Sequence, residues 1–504
     1  LLYSRIINPV KLPWIVAALV LALTLLRFVF ATMSELVPEE AYYWIYWKHP
    51  AMGYFDHPPM VAWIVGSGTS IFGDTEFGVR FGTIILSAIS SLLVFKTSKL
   101  WFGALAATRA AVIYTLLPVF AGAGFIVTPD QPLLFFWLLA LLGFSHAVKT
   151  GHWKWWLLGG VAFGGALLSK YYALLLGPSL LLFLLLSKQH RHWLRRPHPW
   201  LAFAVALIVF SPTIIWNEQH QWASFLYQSA RTGTPHHHGL RYFFRFWGLQ
   251  FVIVTPLVFA LFIVAVLKGI RHLHNDRTGD DRWNYALSFS LPLFLLFGAA
   301  SLKTEVHVNW TAPAFLSLLP AAMQAYETML ATASLQRMKW LRVCANTSIA
   351  LCVIAIVVGL ASITWGVPRL YEQAGGWRAL AAAVEQAEDR LKTESGAEPF
   401  VLDTGKYDSA VEVSFYSREP DEQVNNYALG KSGLGFRYWT KLQRFQGMPA
   451  VALLDELDTA TLRHLSDCFA KTGEPIPLQI KGPGRHERHV YLVECYDYRL
   501  PRPE

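Results

Sequence analysis

Apolar runs of membrane-crossing length alternate with short polar connections along the chain as far as residue 365, and beyond that point the pattern changes. A spanning helix needs about 20 predominantly apolar residues. About eleven segments meet that requirement, centred on 13–32, 77–97, 103–125, 131–148, 155–170, 171–187, 199–216, 246–267, 285–301, 310–329 and 341–364. The fifth and sixth meet near Lys170, and the run 60–72 is too short to cross and is expected to lie along the interface. Past Gly366, Trp377 to Glu394 has the spacing of an amphipathic helix. Phe400–Leu402, Ala450–Leu454 and His489–Val493 have the character of short strands, with helical stretches around 407–417 and 458–471 between them. The expected fold is mainly α: a polytopic transmembrane helical bundle over 1–365, including a first outer loop at 33–76, and a small extramembrane α/β domain over 366–504.

Composition agrees with that pattern. Hydrophobic residues make up 54% of the 504, charged residues only 15%, and mean hydropathy is +0.34. The net charge of +9 does not describe a nucleic-acid binder, because the basic residues fall in short clusters between apolar runs and no reading module accompanies them. With Arg5 and Lys11 inside, the alternate connections carry Lys96 and Lys99, Lys149 and Lys154, Lys188 to Arg196, Lys268 to Arg282, and Arg337 to Arg342. All of these fall on the cytoplasmic side, as the positive-inside rule requires. The other set of connections, and the tail, are therefore expected outside. The run from Pro13 to Phe30 has no cleavage site after it and is expected to remain as an anchor. Cys344 and Cys352 suit helix packing, whereas Cys468 and Cys495 in the tail leave a disulfide open.

The polar motifs gather on the outer side. Glu39, Glu40 and Asp56 lie among Tyr42, Tyr43, Trp44, Tyr46, Trp47, Tyr54 and Phe55. Aromatic walls lower the local dielectric, and that tunes carboxylates for base work. Asp130, after Pro129, either caps a helix or orients an acceptor hydroxyl or a partner cation. Lys170 stands between two apolar stretches, where an ammonium either snorkels or meets a phosphate. The loop after Trp216-Asn217-Glu218 carries Arg231, His236 to His238, Arg241 and Arg245, an outside positive charge that calls for an anion. Between two later spans lie Lys303, Glu305, His307 and Trp310, with a weak spacing for a metal.

The motifs Glu-Ala-Tyr-Tyr-Trp, Gly-Tyr-Phe-Asp-His-Pro-Pro, Thr-Pro-Asp-Gln-Pro-Leu, Leu-Ser-Lys-Tyr, Ile-Trp-Asn-Glu-Gln-His-Gln-Trp-Ala-Ser-Phe and His-Val-Asn-Trp-Thr-Ala-Pro occur in this order between residue 30 and about residue 330. Together they resemble the bacterial membrane glycosyltransferases of GT-C architecture. More narrowly, they resemble the dolichyl-phosphate-mannose-protein mannosyltransferase-like family, related to the lipid A aminoarabinose transferases. The resemblance implies an inverting transfer from a polyprenyl-phosphate sugar to a lipid, glycan or protein hydroxyl at the outer face of a bacterial inner membrane, with membrane lipid around it. It implies Glu39 as base, where the family has aspartate, with Glu40 as the second acid and the alternative base. Asp56 and His57 match the family segment beside the donor phosphate and a possible divalent metal (Mg, Mn or Zn). The expected phosphate ligands are His57, Lys170, Arg231 and His307, then Arg80 and Arg241. Tyr42, Tyr43, Tyr54, Asp130, Tyr171, Asn217 and Trp310 are expected around sugar or acceptor, Asp56 is expected as the acceptor-orienting or metal-binding acid of the catalytic set, and Asp56 and His307 are the candidate metal ligands. An oligosaccharide ligase with a pyrophosphate donor and a lipid-sugar flippase are the rival readings; a flippase favours paired inverted repeats, which this chain lacks.

Overall fold

The structure is a computed structural model that describes residues 12–233, 239–275, 279–365, 375–418, 423–481 and 487–501, without the side chains of 231–233, 239 and 363–365. The chain divides into two compact units. One comprises Leu1–Phe28, His57–Ile64 and Phe81–Val357, and the other Val29–Asp56, Val65–Arg80 and Val358–Glu504.

Among the described residues, 7 helices are long and apolar enough to cross a membrane: Leu12–Ala31, Glu76–Leu116, Asp130–Thr150, Pro197–Gln219, Pro256–Asn275, Arg282–Ala300 and Leu335–Ser362. Several expected boundaries move, each for a local reason. The segments expected at 77–97 and 103–125 form one run, Glu76–Leu116, interrupted at Gly103, whose φ of 79° is outside the helical region. Pro118 then opens a separate short helix, Pro118–Ala123. The segment expected at 246–267 breaks at Thr255, which has φ 63° and is followed by Pro256. Pro256 starts the helix that runs to Asn275. The division near Lys170 is real, because Lys170 is extended (φ −151°, ψ 140°) between the helix Trp153–Leu167 and a 3-10 turn at Tyr171–Leu175. Met60–Phe72 is a helix of 13 residues, about 20 Å long.

Small residues let the membrane helices pack closely. A Cβ added at Gly160 would lie 2.5 Å from the Ala202 carbonyl, and one at Gly164 would lie 2.5 Å from Val209. The helices Trp153–Leu167 and Pro197–Gln219 therefore meet almost backbone to backbone, the contact that drives association where lipid supplies no hydrophobic force.

In the second unit a six-stranded sheet has the order β2-β1-β3-β6-β4, with β5 also on β6. The strands are β1 Phe400–Asp403, β2 Gln423–Val424, β3 Ala450–Leu454, β4 Phe469–Thr472, β5 Ile476–Lys481 and β6 Glu487–Tyr498. β1 is parallel to β2 and β3, and β6 is antiparallel to its neighbours. β1 and β3 are buried throughout, which is why they appear in the sequence as unbroken apolar runs. The helix Trp377–Ser395 buries Trp377, Leu380, Val384, Ala387 and Leu391 at helical spacing. Cys468 and Cys495 are free and buried, so the disulfide left open by the sequence does not form. Burial pushes the Cys495 thiol up to about 12.

At the carboxyl end of β1, Asp403 accepts hydrogen bonds from the amides of Gly405 (2.7 Å) and Ala410 (3.0 Å). Burial outweighs those bonds and raises its pKa to about 7. The native state therefore keeps a proton that the unfolded chain, with an aspartate pKa of about 3.9, releases. Stability is expected to fall as pH rises from about 4 through 7, by an amount on the order of 4 kcal/mol. Asp403→Asn should flatten that slope in thermal unfolding followed between pH 5 and 8, and an unchanged slope would assign it to other groups.

Candidate active site

The helix Pro38–Lys48 begins with Pro38 at its first turn, followed by Glu39 and Glu40 where the helix dipole favours negative charge. Glu40 also reaches back to accept a hydrogen bond from the Val37 amide at 3.1 Å. At the far end of the helix, Asp74 accepts a hydrogen bond from Trp44 Nε1 at 2.7 Å and pairs with Lys48 at 2.5 Å. A Cβ at Gly66 would lie 2.3 Å from the Trp47 ring, so only glycine allows that indole its place.

The two neighbouring glutamates have different surroundings. Glu40 is 0% exposed and is held by Arg80, whose Nε lies 2.9 Å from Oε1 and whose Nη2 lies 2.5 Å from Oε2. The remaining Arg80 donors reach the Ser34 hydroxyl (2.8 Å), the Ser34 carbonyl (2.9 Å) and the Glu35 carbonyl (2.8 Å). Glu39 is exposed, and its carboxylate makes no ion pair among the described residues. Glu40, the alternative base, lies in a buried ion pair with Arg80, and Arg80, expected at a donor phosphate, is engaged by Glu40, Ser34 and Glu35 at the start of this helix. Both are already satisfied by each other, and a pair this deep opens only at high cost.

Asp56 accepts hydrogen bonds from Tyr42 (3.1 Å) and Tyr46, and is partly buried. Burial raises its pKa, while the two tyrosine hydroxyls and the charge of Lys406 oppose the rise. Tyr42 also accepts from the Gly435 amide at 3.3 Å, and its ring stacks on Tyr407 with centroids 4.7 Å apart. Trp439 stacks on His49 at 5.2 Å and meets Tyr46 edge-on at 5.5 Å. Tyr42 and Tyr43, expected around a sugar, are buried: Tyr42 holds Asp56, and Tyr43 packs edge-on against Tyr46 with centroids 5.4 Å apart. Tyr54 is buried as well, donating to the Tyr46 carbonyl at 2.6 Å and stacking on Tyr46 at 3.9 Å. Tyr46, Lys406, Tyr407 and Trp439 were not among the expected site residues. The last three lie hundreds of residues from Asp56, and no local spacing announces them.

The membrane unit holds a second constellation. Lys170 donates to Asp130 Oδ1 at 2.8 Å, and Asn309 donates to Oδ2 at 2.8 Å. Thr128 donates to the same Oδ2 at 3.3 Å. Lys170 and Asp130 are 7% and 5% exposed, and the ammonium lies 5.7 Å from the Tyr172 ring centroid. The Tyr172 hydroxyl is buried without a hydrogen-bond partner among the described residues. Asp130 thus serves its partner cation, while Lys170 keeps two further donors. Asn309 and Tyr172 were missed, although each adjoins a residue that was singled out. Half-buried Trp310 packs on Phe297 and His307, with ring centroids 5.5 Å away in each case. Tyr171 packs on Phe225 at 5.1 Å.

Asn217, expected around sugar or acceptor, is buried at a helix end. Its amide donates to the Thr213 carbonyl (3.0 Å) and its oxygen accepts from the Ser224 amide (3.2 Å), so it caps a helix end. His307 is exposed at the start of a 3-10 turn, Arg241 is exposed on the helix Gly239–Ile253, and His57 is half-buried. The side chain of Arg231 and the triplet His236–His238 lie outside the described residues. Among the described residues no group of three His, Cys, Asp or Glu side chains is arranged to hold a metal ion.

Residues 56–216 match a family model described as dolichyl-phosphate-mannose-protein mannosyltransferase. The chain is 28% identical over 303 residues to the lipid A galacturonosyltransferase RgtD of Rhizobium johnstonii, covering 59% of this chain and 63% of that protein. It is 27% identical over 177 residues to the undecaprenyl phosphate-alpha-4-amino-4-deoxy-L-arabinose arabinosyl transferase of Pseudomonas aeruginosa, covering 34% of this chain and 31% of that one. The chain thus spans less than two thirds of the length of the curated relatives it matches. In fold it matches ArnT from Cupriavidus metallidurans bound to undecaprenyl phosphate, with a TM-score of 0.63 and 18% identity over 98% of this chain and 99% of that one. The GT-C architecture and the multi-pass membrane character expected from the sequence both hold.

Proposed function

From the premise that the chain is a GT-C relative of the bacterial aminoarabinose transferases, we propose that it moves a sugar from a polyprenyl-phosphate donor to a hydroxyl of a lipid A-type acceptor. The transfer takes place at the outer face of the inner membrane. The observation that carries this reading is the contrast within one helical turn: Glu40 is locked by Arg80 while Glu39 stands exposed as a carboxylate on a braced helix.

The chemistry then follows from charge and proton balance. The acceptor oxygen forms a bond to the anomeric carbon as the bond from that carbon to the phosphate oxygen breaks. The proton of the hydroxyl passes to Glu39, and the electron pair leaves with the lipid phosphate. Attack opposite the leaving group inverts the anomeric centre. In the second unit, Asp56, fixed by Tyr42 and Tyr46, is the acid that orients the acceptor hydroxyl. In the membrane unit, the spare donors of Lys170 and the Tyr172 hydroxyl, which has no hydrogen-bond partner among the described residues, are the candidate ligands for an anionic oxygen. His57, His307 and Arg241 remain as further candidate cations. ArnT, which shares the fold, has been solved with undecaprenyl phosphate bound, and that supports this class of donor.

The direct test incubates the purified protein with a labelled polyprenyl-phosphate sugar, with and without lipid A. Free polyprenyl phosphate and labelled lipid A should appear together, and only when the acceptor is present. Movement of intact donor across a vesicle without cleavage would replace this reading with transport. The phosphate role of Lys170 is tested with Lys170→Met combined with Asp130→Asn, which avoids leaving a lone buried charge. Donor affinity should fall about 10- to 100-fold, the equivalent of one charge-assisted hydrogen bond. Unchanged affinity in a binding titration would remove Lys170 from the phosphate site.

A further inference from the structure

The segment Lys431 to Phe445 reads Lys-Ser-Gly-Leu-Gly-Phe-Arg-Tyr-Trp-Thr-Lys-Leu-Gln-Arg-Phe, with four cations and no acid. Its side chains sort by chemistry. Leu434, Phe436, Leu442 and Phe445 are buried, while Lys431, Arg437, Lys441 and Arg444 are exposed. The apolar anchors fix the backbone, so the cations are held on a shaped surface and not on a loose loop. Tyr438 and Trp439 are half-buried between them, and the Arg437 guanidinium lies 5.6 Å from the Tyr438 ring centroid.

This segment is continuous with the proposed catalytic loop inside the second unit. Tyr438 packs on Phe55 at 5.7 Å, Trp439 stacks on His49, and the Gly435 amide donates to the same Tyr42 hydroxyl that holds Asp56. Buried Asn425 ties the segment to a further cation: its amide donates to the carbonyls of Gly433 (3.1 Å) and Lys406. Lys406 is exposed, with its ammonium 5.7 Å from the Tyr407 ring centroid. The charge of Lys406 acts on Asp56, so exposed cations of this unit reach the acid assigned above to the acceptor hydroxyl.

We propose that Arg437, Lys441 and the rings of Tyr438 and Trp439 form the docking surface for the phosphorylated sugar headgroup of the glycolipid acceptor. Cations of this kind meet phosphate oxygens with charge-assisted bonds, and half-buried aromatic side chains beside them suit the apolar face of a sugar ring. A plain anionic phospholipid satisfies the charge but not the rings. A nucleotide or free phosphate has no need of continuity with the loop that holds Asp56. The proposal rests on the acceptor half of the reaction proposed above, and it gives the α/β domain a part in choosing the acceptor.

The test uses the full-length chain in detergent, as wild type and as the Arg437→Gln/Lys441→Gln and Arg437→Glu/Lys441→Glu variants. Three probes are titrated: lipid A with its phosphates, the same glycolipid dephosphorylated, and phosphatidylglycerol. The wild type should favour phosphorylated lipid A over both others. The Gln pair should weaken that binding, and raise the acceptor KM, about tenfold or more, since each near-surface cation contributes about a factor of five. The Glu pair should weaken it further, and the affinity for undecaprenyl phosphate should stay constant in both. Equal binding of the Gln pair and wild type, or equal binding of phosphatidylglycerol and lipid A, would overturn the proposal. Selective binding of phosphorylated lipid A without any sugar transfer would uphold the docking surface and refute the reaction.

Discussion

The Glu39→Gln variant is expected to lose sugar transfer by about 10²- to 10⁴-fold, the range that a positioned general base supplies. Its unfolding transition and its affinity for undecaprenyl phosphate should match the wild type. The physical reason is the exposure of Glu39: no cation or amide among the described residues depends on its carboxylate, so the amide isostere removes a proton acceptor without breaking a hydrogen bond or ion pair of the fold. Glu39→Asp keeps the carboxylate on a shorter stem, restoring the residue type usual at this position of the resembled family, and should retain a measurable fraction of the rate. Single-turnover measurements on the purified variants decide the matter, and a Glu39→Gln enzyme working at the wild-type rate would end the assignment. The charge also reaches into the domain, since Asp408 is raised to about 6 by burial first, then by Glu39 and Asp455. In Glu39→Gln, Asp408 should titrate lower.

Arg80→Ala should cost about 3–5 kcal/mol of stability, the usual penalty for leaving half of a buried ion pair without its partner. Arg80 and Glu40 are 1% and 0% exposed, so water cannot take over from the missing guanidinium. A further buried acid makes this worse. Both oxygens of Glu412 are buried and without hydrogen-bond partners among the described residues, and its pKa is pushed well up by burial and then by Glu40 and Glu35. A Glu40 deprived of Arg80 therefore faces a second buried acid and not a cation. The double variant Arg80→Met/Glu40→Leu removes both charges and should recover a large part of the loss. Denaturant or thermal unfolding of the three proteins in one detergent measures this. If the single and double variants unfold alike, the pair is not the element that holds the start of the Pro38–Lys48 helix.

The contrast between these two glutamates shows where sequence reasoning stops. Neighbouring acids of the same type after one proline are equivalent as letters, and a helical turn rotates them by roughly 100° onto different faces. Which face meets Arg80, forty residues further on, is a property of packing. Asn217 illustrates the same limit: it stands in a motif full of functional-looking polar groups, yet its amide is spent on a helix end. Lys170 and Asp130 were each legible as unusual, because a charge next to apolar runs is costly enough to need a reason. That each is the other's reason, with Asn309 as a third party, depends on separations of 40 and 179 residues.

The membrane helices were legible for a different reason: length and apolarity are what a bilayer selects, and both are written locally. Boundaries slipped where one residue outweighed its neighbours, as at Gly103 with its left-handed φ and at Thr255 before Pro256. The strands β1 and β3 and the helix Trp377–Ser395 were found because burial on two faces, or on one helical face, leaves a period in the sequence. No such period records that Tyr407 stacks on Tyr42 or that Trp439 lies against His49. By itself, then, the sequence determined the membrane architecture, the α/β tail and the loop that carries the acids, since these follow from hydrophobic periodicity and local chemistry. Only the tertiary structure decided which acid is free, which cations are already paired and which distant rings brace Asp56. Those answers depend on through-space contacts between residues whose separation along the chain carries no periodic signal.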